Sequence, residues 1–391
     1  MAIENSSQSL KDYVNRKKRY RRRRKALIIA VILITAICGG LYILNLYNKQ
    51  YHSIDVMNTV EITAEDAIGY MEYGTSIIKY GMNGIVALDK NGKLLWNGSY
   101  ELQEPLVDTC GKYVVVAGKG TNEIHIFNNK GLAGGFSTDY NILKVEIGSQ
   151  GHVLALMEDK HTNYIRLYDV DGTVIYEIIS DIKTVGYPLD VTLSYDGKKV
   201  VTSYISFNEG ELKNIISFYN FGDVGKNYTN QLVGCIIKED GSIAPKVEFV
   251  NNNTVCVYND TGFILYAMEQ IPSEIMTQNV KGQIKSIISD EKYVGLVTQA
   301  EGTSSKTITV YDLTGKKLLE KALDFNYEKI YLSNGEIVMY DNLSCLIMKI
   351  NGKIKFRHTF DSNIKAIYSA NKLDQYFLAD DLAIKIIQLK E

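Results

Sequence analysis

Proline is scarce in this chain, with four in 391 residues, and tryptophan occurs once. So little proline excludes a proline-rich stalk, and an ordinary glycine count of 31 excludes a collagen-like repeat. There are five cysteines, irregularly spaced and without a CxxC pair. That pattern does not indicate a disulfide framework. Cys38 lies in an apolar run; Cys110, Cys235, Cys256 and Cys345 lie in or beside strand-like stretches, where a free thiol behaves as a small buried hydrophobe. Cys235 with Cys256 is the one pair worth testing for a bridge. Neither sign of charge prevails, the net being −2, but the balance hides an asymmetry. Residues 1–25 carry ten Lys or Arg against Glu4 and Asp12, a net of +8, which leaves −10 on the rest. Apolar residues at 46% and charged residues at 23% are the ordinary globular balance, which excludes disorder for the chain as a whole.

Long uncharged runs are absent except for one. Ala26–Tyr47 contains no charged residue over 22 positions. As a helix it rises ~33 Å, enough for a hydrocarbon core of ~30 Å. The run KKRYRRRRK from Lys17 to Lys25 stands directly before it, and basic residues beside a span favour the cytoplasmic side. The sequence therefore predicts a basic cytoplasmic tail over 1–25, a transmembrane helix over 26–47, a linker over 48–55 and an extracytoplasmic domain over 56–391. A cleaved signal peptide has a shorter apolar core, whereas apolarity here continues past Gly39-Gly40 through Leu46. Ile37 before Cys38 does not fit a lipoprotein signal. The arginine run beside a span is a topology signal in contact with anionic lipid, so the expected partner of tail and span is membrane lipid and not nucleic acid. The short linker places the expected ring close to the membrane surface.

Repeats organise the remainder. A strand of alternating apolar residues recurs eight times, beginning at Ile85, Ile124, Ile165, Ile215, Phe263, Ile308, Leu346 and Ile384, at steps of 38 to 50 residues. Asn-Gly, Asp-Gly or Thr-Gly often follows, because glycine accepts positive φ in hairpin turns. A second strand precedes most copies, as in GKYVVVAGKG and GHVLALMEDK, and before it a shorter one, as in PLVDTC, ILKVEI and KVEFV. Period-two alternation rich in Val, Ile, Tyr and Thr is the strand signature. Four strands per repeat of this length match a propeller blade. The last unit has three strands, and Val56–Thr63 has no unit of its own. Pairing the two closes a ring without an exposed edge. The prediction is an all-β propeller, with eight blades favoured and seven the alternative, preceded by one transmembrane helix. A pair of β-sandwiches is the rival that the regular period disfavours.

Ala87 to Trp96 (ALDKNGKLLW) resembles the repeat of quinoprotein-like propellers, and Ser194-Tyr195-Asp196-Gly197-Lys198 resembles the turn of WD40-like propellers. Both imply a blade. A longer run, Phe218-Tyr219-Asn220-Phe221-Gly222-Asp223-Val224-Gly225-Lys226-Asn227, leads through Leu232-Val233-Gly234 to Val247-Glu248-Phe249. With the basic tail and the span, it resembles an uncharacterised single-pass membrane β-propeller family of Gram-positive bacteria, known as a domain of unknown function. The resemblance implies location and fold and supplies no reaction.

Motifs of chemistry are sparse. There is no GxSxG, HExxH or GxxxxGK[ST]. Quinoprotein catalysis needs a quinone clamp and stacking aromatics, and the lone Trp96 sits at a blade position where it packs; no cofactor is expected. His52, His125, His152, His161 and His358 are scattered; His152 and His161 flank one hairpin and could meet in space, but scattered histidines of this kind read as structural residues and not as metal ligands. Asp169-Val170-Asp171-Gly172-Thr173 begins like a calcium loop, but the bidentate Glu needed at position twelve is Ser180, so it reads as a hairpin turn and no metal is expected. Asp380-Asp381 reads as a solvated turn. Asn97 and Asn342 lie in glycosylation sequons, which mean little without a glycosylating route. Most of the 28 tyrosines fit half-buried strand positions.

The longest steps, 50 and 48 residues, surround the fourth unit. Their extra length lies at residues 207–214 and 222–245, which enter opposite ends of one strand. The candidate interaction loop is Asn220, Phe221, Gly222, Asp223, Val224 and Gly225, either presenting Phe221 to a partner or packing it between blades. The sequence thus predicts a non-enzymatic, membrane-anchored extracytoplasmic scaffold whose partner is an unknown envelope protein or wall component. The alternatives are a sensor or accessory subunit binding a wall sugar or peptide, and an enzyme of unrecognised type.

Overall fold

A computed structural model of the chain describes residues 17, 20, 24–25, 27–41, 45, 48–61, 67–208, 210–238 and 241–391. It divides into two units, Met1–Gln50 and Tyr51–Glu391. In the first, residues 27–41 are helical. Their large apolar side chains, from Leu27 to Leu41, are 51–66% exposed. The Thr35 hydroxyl folds back to the carbonyls of Val31 and Ile32, which satisfies it within the helix. No helix among the described residues is long and apolar enough to cross a membrane. Ala26, 42–44, 46 and Tyr47 of the span expected over 26–47 lie outside the described residues.

The second unit is a ring of eight four-stranded antiparallel sheets. Blades 1 to 7 occupy residues 69–99, 105–137, 141–181, 187–238, 246–279, 283–323 and 329–359. Blade 8 takes three strands from 366–390 and its outer strand, Ser53–Glu61, from the start of the ring. That strand pairs with Ala383–Lys390 from Ser53↔Lys390 to Glu61↔Ala383. The expected closure is therefore present, three residues earlier than Val56; Ile62 and Thr63 lie outside the described residues. Tyr51 already belongs to the ring, its amide donating to the Lys355 carbonyl at 2.8 Å.

Alternation explains the packing. The middle strands bury both faces, as in Val114, Val115, Val116 and Ala117, because each blade is covered by a neighbour on either side. Eight apolar clusters result, one between each pair of adjacent blades. The cluster between blades 8 and 1 joins Ile384 and Ile386 to Ile77 and Leu88, so the ring closes in its core as well as in its ladder. Trp96 is buried between blades 1 and 2, stacked on Phe127 at 5.4 Å.

Antiparallel strands alternate in direction, so the turns after the first and third strands share one face of the ring. The hairpins after the second strands and the blade-to-blade connections share the other. Asp169–Thr173 is such a third-strand turn: the Gly172 amide donates to the Asp169 carbonyl at 3.0 Å. Gly172 stands at φ +86, and a Cβ there would meet Phe136 at 2.8 Å. The first insertion of the fourth unit is a hairpin of two ten-residue strands, Lys199–Asn208 and Glu211–Asn220, with Phe207 opposite Leu212. The second holds two short 3₁₀ turns, Gly225–Asn227 and Thr229–Gln231, and the outer strand Leu232–Lys238.

His152 and His161 do not meet: they sit at opposite ends of the strand Val153–Asp159, which spans ~23 Å at about 3.3 Å per residue. One sequence expectation is corrected. Asp380 is not a solvated turn residue. It is 2% exposed and accepts from the amides of Leu382 and Ala383, the Ser362 hydroxyl and the Lys385 ammonium. Burial pushes its carboxyl up, but Lys385 and the other donors outweigh it and hold it below the usual range.

Candidate functional site

The first strand of each blade lines the ring axis, and the first strands of successive blades adjoin. Apolar alternation fails on these strands. Blade 2 carries Asp108, blade 3 Lys144 and Glu146, blade 4 Asp190 and Thr192, and blade 5 Lys246 and Glu248. All of these polar groups but Lys246, which pairs with Glu248 of its own strand at 3.2 Å, reach one blade onward. Asp108 accepts from the Ile147 amide at 2.8 Å. Glu146 accepts from the Leu193 amide at 2.7 Å and the Thr192 hydroxyl at 3.1 Å. Asp190 accepts from the Val247 amide, and the Thr192 hydroxyl oxygen from the Phe249 amide, both at 3.0 Å. The Ser289 hydroxyl donates to Glu248 at 2.7 Å. A first strand has a free edge toward the axis, and these side chains supply partners for amides there, a requirement for buried backbone groups.

Lys144 holds the centre of this belt. Its ammonium lies 2.8 Å from Glu146 and 2.6 Å from Asp190, and donates to the Val191 carbonyl at 2.7 Å. Burial pulls it down, but the two carboxylates outweigh that and hold it above the ordinary lysine range. Burial pushes Glu146 up, and pushes Asp108 up to about 7 with the charge of Glu146 adding to it.

The axial channel opens into a cavity of about 590 Å³ on the face of the first-strand turns. Blades 1, 2, 4, 6 and 7 contribute to its lining, chiefly Glu72, Tyr195, Asp290, Glu291, Lys292 and Asn334. Some contacts skip a blade. Glu72 of blade 1 accepts from Ser333 of blade 7 at 2.8 Å, and the Cys110 thiol of blade 2 lies 3.8 Å from the Tyr195 carbonyl of blade 4. Burial is the main cause that raises Glu72, and Ser333 and Asn334 oppose it. Burial pushes the Cys110 thiol up to about 12, so it is protonated and unreactive at neutral pH. Asp290 caps its own turn through the amides of Lys292 and Tyr293, both at 2.9 Å. Carboxylates, an ammonium, phenols and an amide thus surround one open volume, which suits it to hydrogen bonding and ion pairing.

The predicted loop lies elsewhere, around the turn after the third strand of blade 4. Asn220 is buried and donates to the Gln270 carbonyl of blade 5 at 2.9 Å, while its own side-chain oxygen accepts from the Gly222 amide. Phe221 is half-buried against Tyr176 of blade 3, ring centroids 4.2 Å apart. Val224 precedes the 3₁₀ turn that begins at Gly225. Gly225 is buried, and a Cβ there would come within 1.5 Å of the Asn220 carbonyl oxygen. Asp223 is exposed and pairs with Lys226 at 2.7 Å. The run ties blade 4 to both neighbours.

The described residues contain no group of three or more His, Cys, Asp or Glu arranged for a metal, and the described cysteines are free, Cys256 buried and Cys235 exposed. The axial belt had one sequence signal: Lys-Val-Glu recurs at 144–146 and 246–248, in the same register of two first strands.

Residues 47–389 match the family described as "Family of unknown function (DUF5711)", and the chain belongs to that family. No curated protein matches the chain. Among solved structures, BamB from Moraxella catarrhalis is similar with a TM-score of 0.53 and 12% identity, covering 86% of this chain and 100% of that one. The WD40 domain of Neurospora crassa Pan2 matches with a TM-score of 0.44 and 8% identity, covering 74% of this chain and 90% of that one. At such identity the likeness to BamB is one of fold alone.

Proposed function

We propose that the protein is an interaction scaffold, a β-propeller anchored in a Gram-positive cell membrane by residues 26–47, with its ring outside the cytoplasm and a partner protein received at the axial mouth. The observation that carries the reading is the mouth: five blades of a closed, rigid ring surround one volume of about 590 Å³ with polar groups of both signs. Such a lining recognises a polypeptide through many modest contacts, the way interfaces are built. The reading includes no catalysis and no cofactor. The −10 charge outside the basic tail disfavours a phosphate backbone as partner.

Anchoring rests on the helix over 27–41. Nine large apolar side chains open to solvent leave much apolar surface uncovered, basic residues precede it, and the sequence stays uncharged to Tyr47. Two measurements test the whole. Protease applied to intact protoplasts removes the ring from the outside; full protection contradicts the placement. Crosslinking in intact cells recovers a partner with wild-type protein and loses it with Glu291→Lys plus Asn334→Arg; equal recovery from both contradicts the mouth as the contact. Recovery of glycan alone favours the wall-binding alternative.

A further inference from the structure

The chain enters the ring at one end of the outer strand of blade 8. Ser53 of that strand pairs with Lys390, the last residue of the third strand. Third strands end on the face that carries the first- and third-strand turns, and the axial mouth opens on that face. The entry is fixed there. The His52 amide donates to the Lys390 carbonyl at 2.8 Å, and Tyr51, 8% exposed, lies in one apolar cluster with Phe356 of blade 7 and Tyr376 of blade 8. The two faces also differ in charge. The turns of the mouth face carry nine Asp or Glu and nine Lys. On the opposite face, the described residues of the second-strand hairpins and blade-to-blade connections carry eleven Asp or Glu and five Lys.

We propose that the mouth face is the membrane side of the ring, and that the polypeptide received at the mouth belongs to a protein of the same membrane. The inference rests on the anchoring proposed above. With the span ending at Tyr47, four residues reach Tyr51, at most ~14 Å of chain. So short a tether keeps the entry end of blade 8 near the lipid headgroups. The strand Ser53–Glu61 then runs to the opposite face over ~26 Å, at about 3.3 Å per residue. Charge favours the same arrangement. An anionic lipid surface attracts lysines and repels carboxylates within a Debye length, so the balanced face is accepted against it and the acidic face is held away. A mouth that opens toward the bilayer is reached most directly by a segment that starts in the bilayer. Glu72, Glu291 and Lys292 at that mouth suit the hydrophilic part of such a protein, outside the hydrocarbon.

Fluorescence quenching in vesicles tests the orientation. A fluorescent amino acid replaces Lys198 or Asn334, exposed on the mouth face in blades 4 and 7, or Thr261, exposed on the opposite face in blade 5. The full-length protein is reconstituted in vesicles of phosphatidylcholine and phosphatidylglycerol that carry a nitroxide on the lipid headgroup. Quenching at both Lys198 and Asn334 is expected to be severalfold stronger than at Thr261. A ring standing on its edge quenches Asn334, beside the entry, and spares Lys198 across the axis. That result, or stronger quenching at Thr261, overturns the orientation. Protein that fails to float with the vesicles overturns the anchoring, and this inference with it. The partner crosslinked from Asn334 in intact cells is expected to carry a membrane span or lipid anchor of its own; a partner with neither overturns the second half of the proposal.

Discussion

Glu72 on the first strand of blade 1 accepts a hydrogen bond of 2.8 Å from Ser333 on the first strand of blade 7, although blade 8 stands between them in the ring. The contact braces the mouth across the blade that closes the ring, and Asn334 adds a longer bond at 3.4 Å to the other oxygen.

Removing this brace loosens the mouth without dismantling the ring. Glu72→Ala is expected to cost about 1 to 3 kcal/mol, the range for a hydrogen bond to a charged, half-buried group. Glu72→Gln, which keeps an acceptor toward Ser333, costs less. Denaturant unfolding of both variants checks this, and equal losses would show that charge and not the bond is what matters.

Deleting Ser53–Glu61 exposes the edge of Ala383–Lys390. Most of the deleted side chains are exposed, so the loss is chiefly a ladder running from Ser53↔Lys390 to Glu61↔Ala383. A marked fall in melting temperature and self-association through the open edge are expected. Calorimetry and light scattering measure both, and an unchanged melt contradicts closure by this strand.

Much of this architecture was legible because blades repeat. The third strands begin within four residues of the alternating copies, and glycine turns separate most of them from the fourth strands. Blade 1 was less legible: Gly69–Tyr73 is half-buried at four of five positions, without the alternation that marks a strand. The axial site was hardly legible at all. Asp108 meets Ile147, and Glu72 meets Ser333, only after the register of eight blades is set, and no local pattern encodes a partner 261 positions away. Lys-Val-Glu at 144–146 and 246–248 was the trace it left. Asp380 was misread because Asp-Asp suggests solvent, whereas four donors converge on it inside the turn.

The run in blade 4 separates packing from contact by single changes. Phe221→Ser removes a ring packed on Tyr176 and is expected to cost about 1 to 3 kcal/mol, less than full loss of a buried aromatic. Asp223→Ala, at an exposed position, stays within about 0.5 kcal/mol. Gly225→Ala places a methyl 1.5 Å from the Asn220 carbonyl and prevents the native turn. Melting curves rank the three. If Asp223→Ala alone abolishes partner crosslinking, the run is a contact site as well as a brace.

Stability should fall as pH rises from about 4 to about 7. A carboxyl whose folded value is raised, as Asp108 is to about 7, keeps a proton in the folded state that the unfolded chain has already lost. Its contribution is therefore complete below the unfolded value and declines as pH climbs to the folded one. A rise from 3.8 to about 7 sets an upper bound of about 4 kcal/mol on the loss, and Asp108→Asn removes it. Melting temperatures of the two proteins across this range check the sign; a parallel pair of curves contradicts it.

The scaffold reading turns on whether a partner sits at the axial mouth. The direct measurement is photo-crosslinking in intact cells from two exposed positions on opposite faces of the ring: Asn334 at the mouth, and Thr261 in a second-strand hairpin of blade 5. The account predicts one protein partner captured from Asn334 and absent from Thr261. Capture from Thr261 alone, or from neither position, would contradict it.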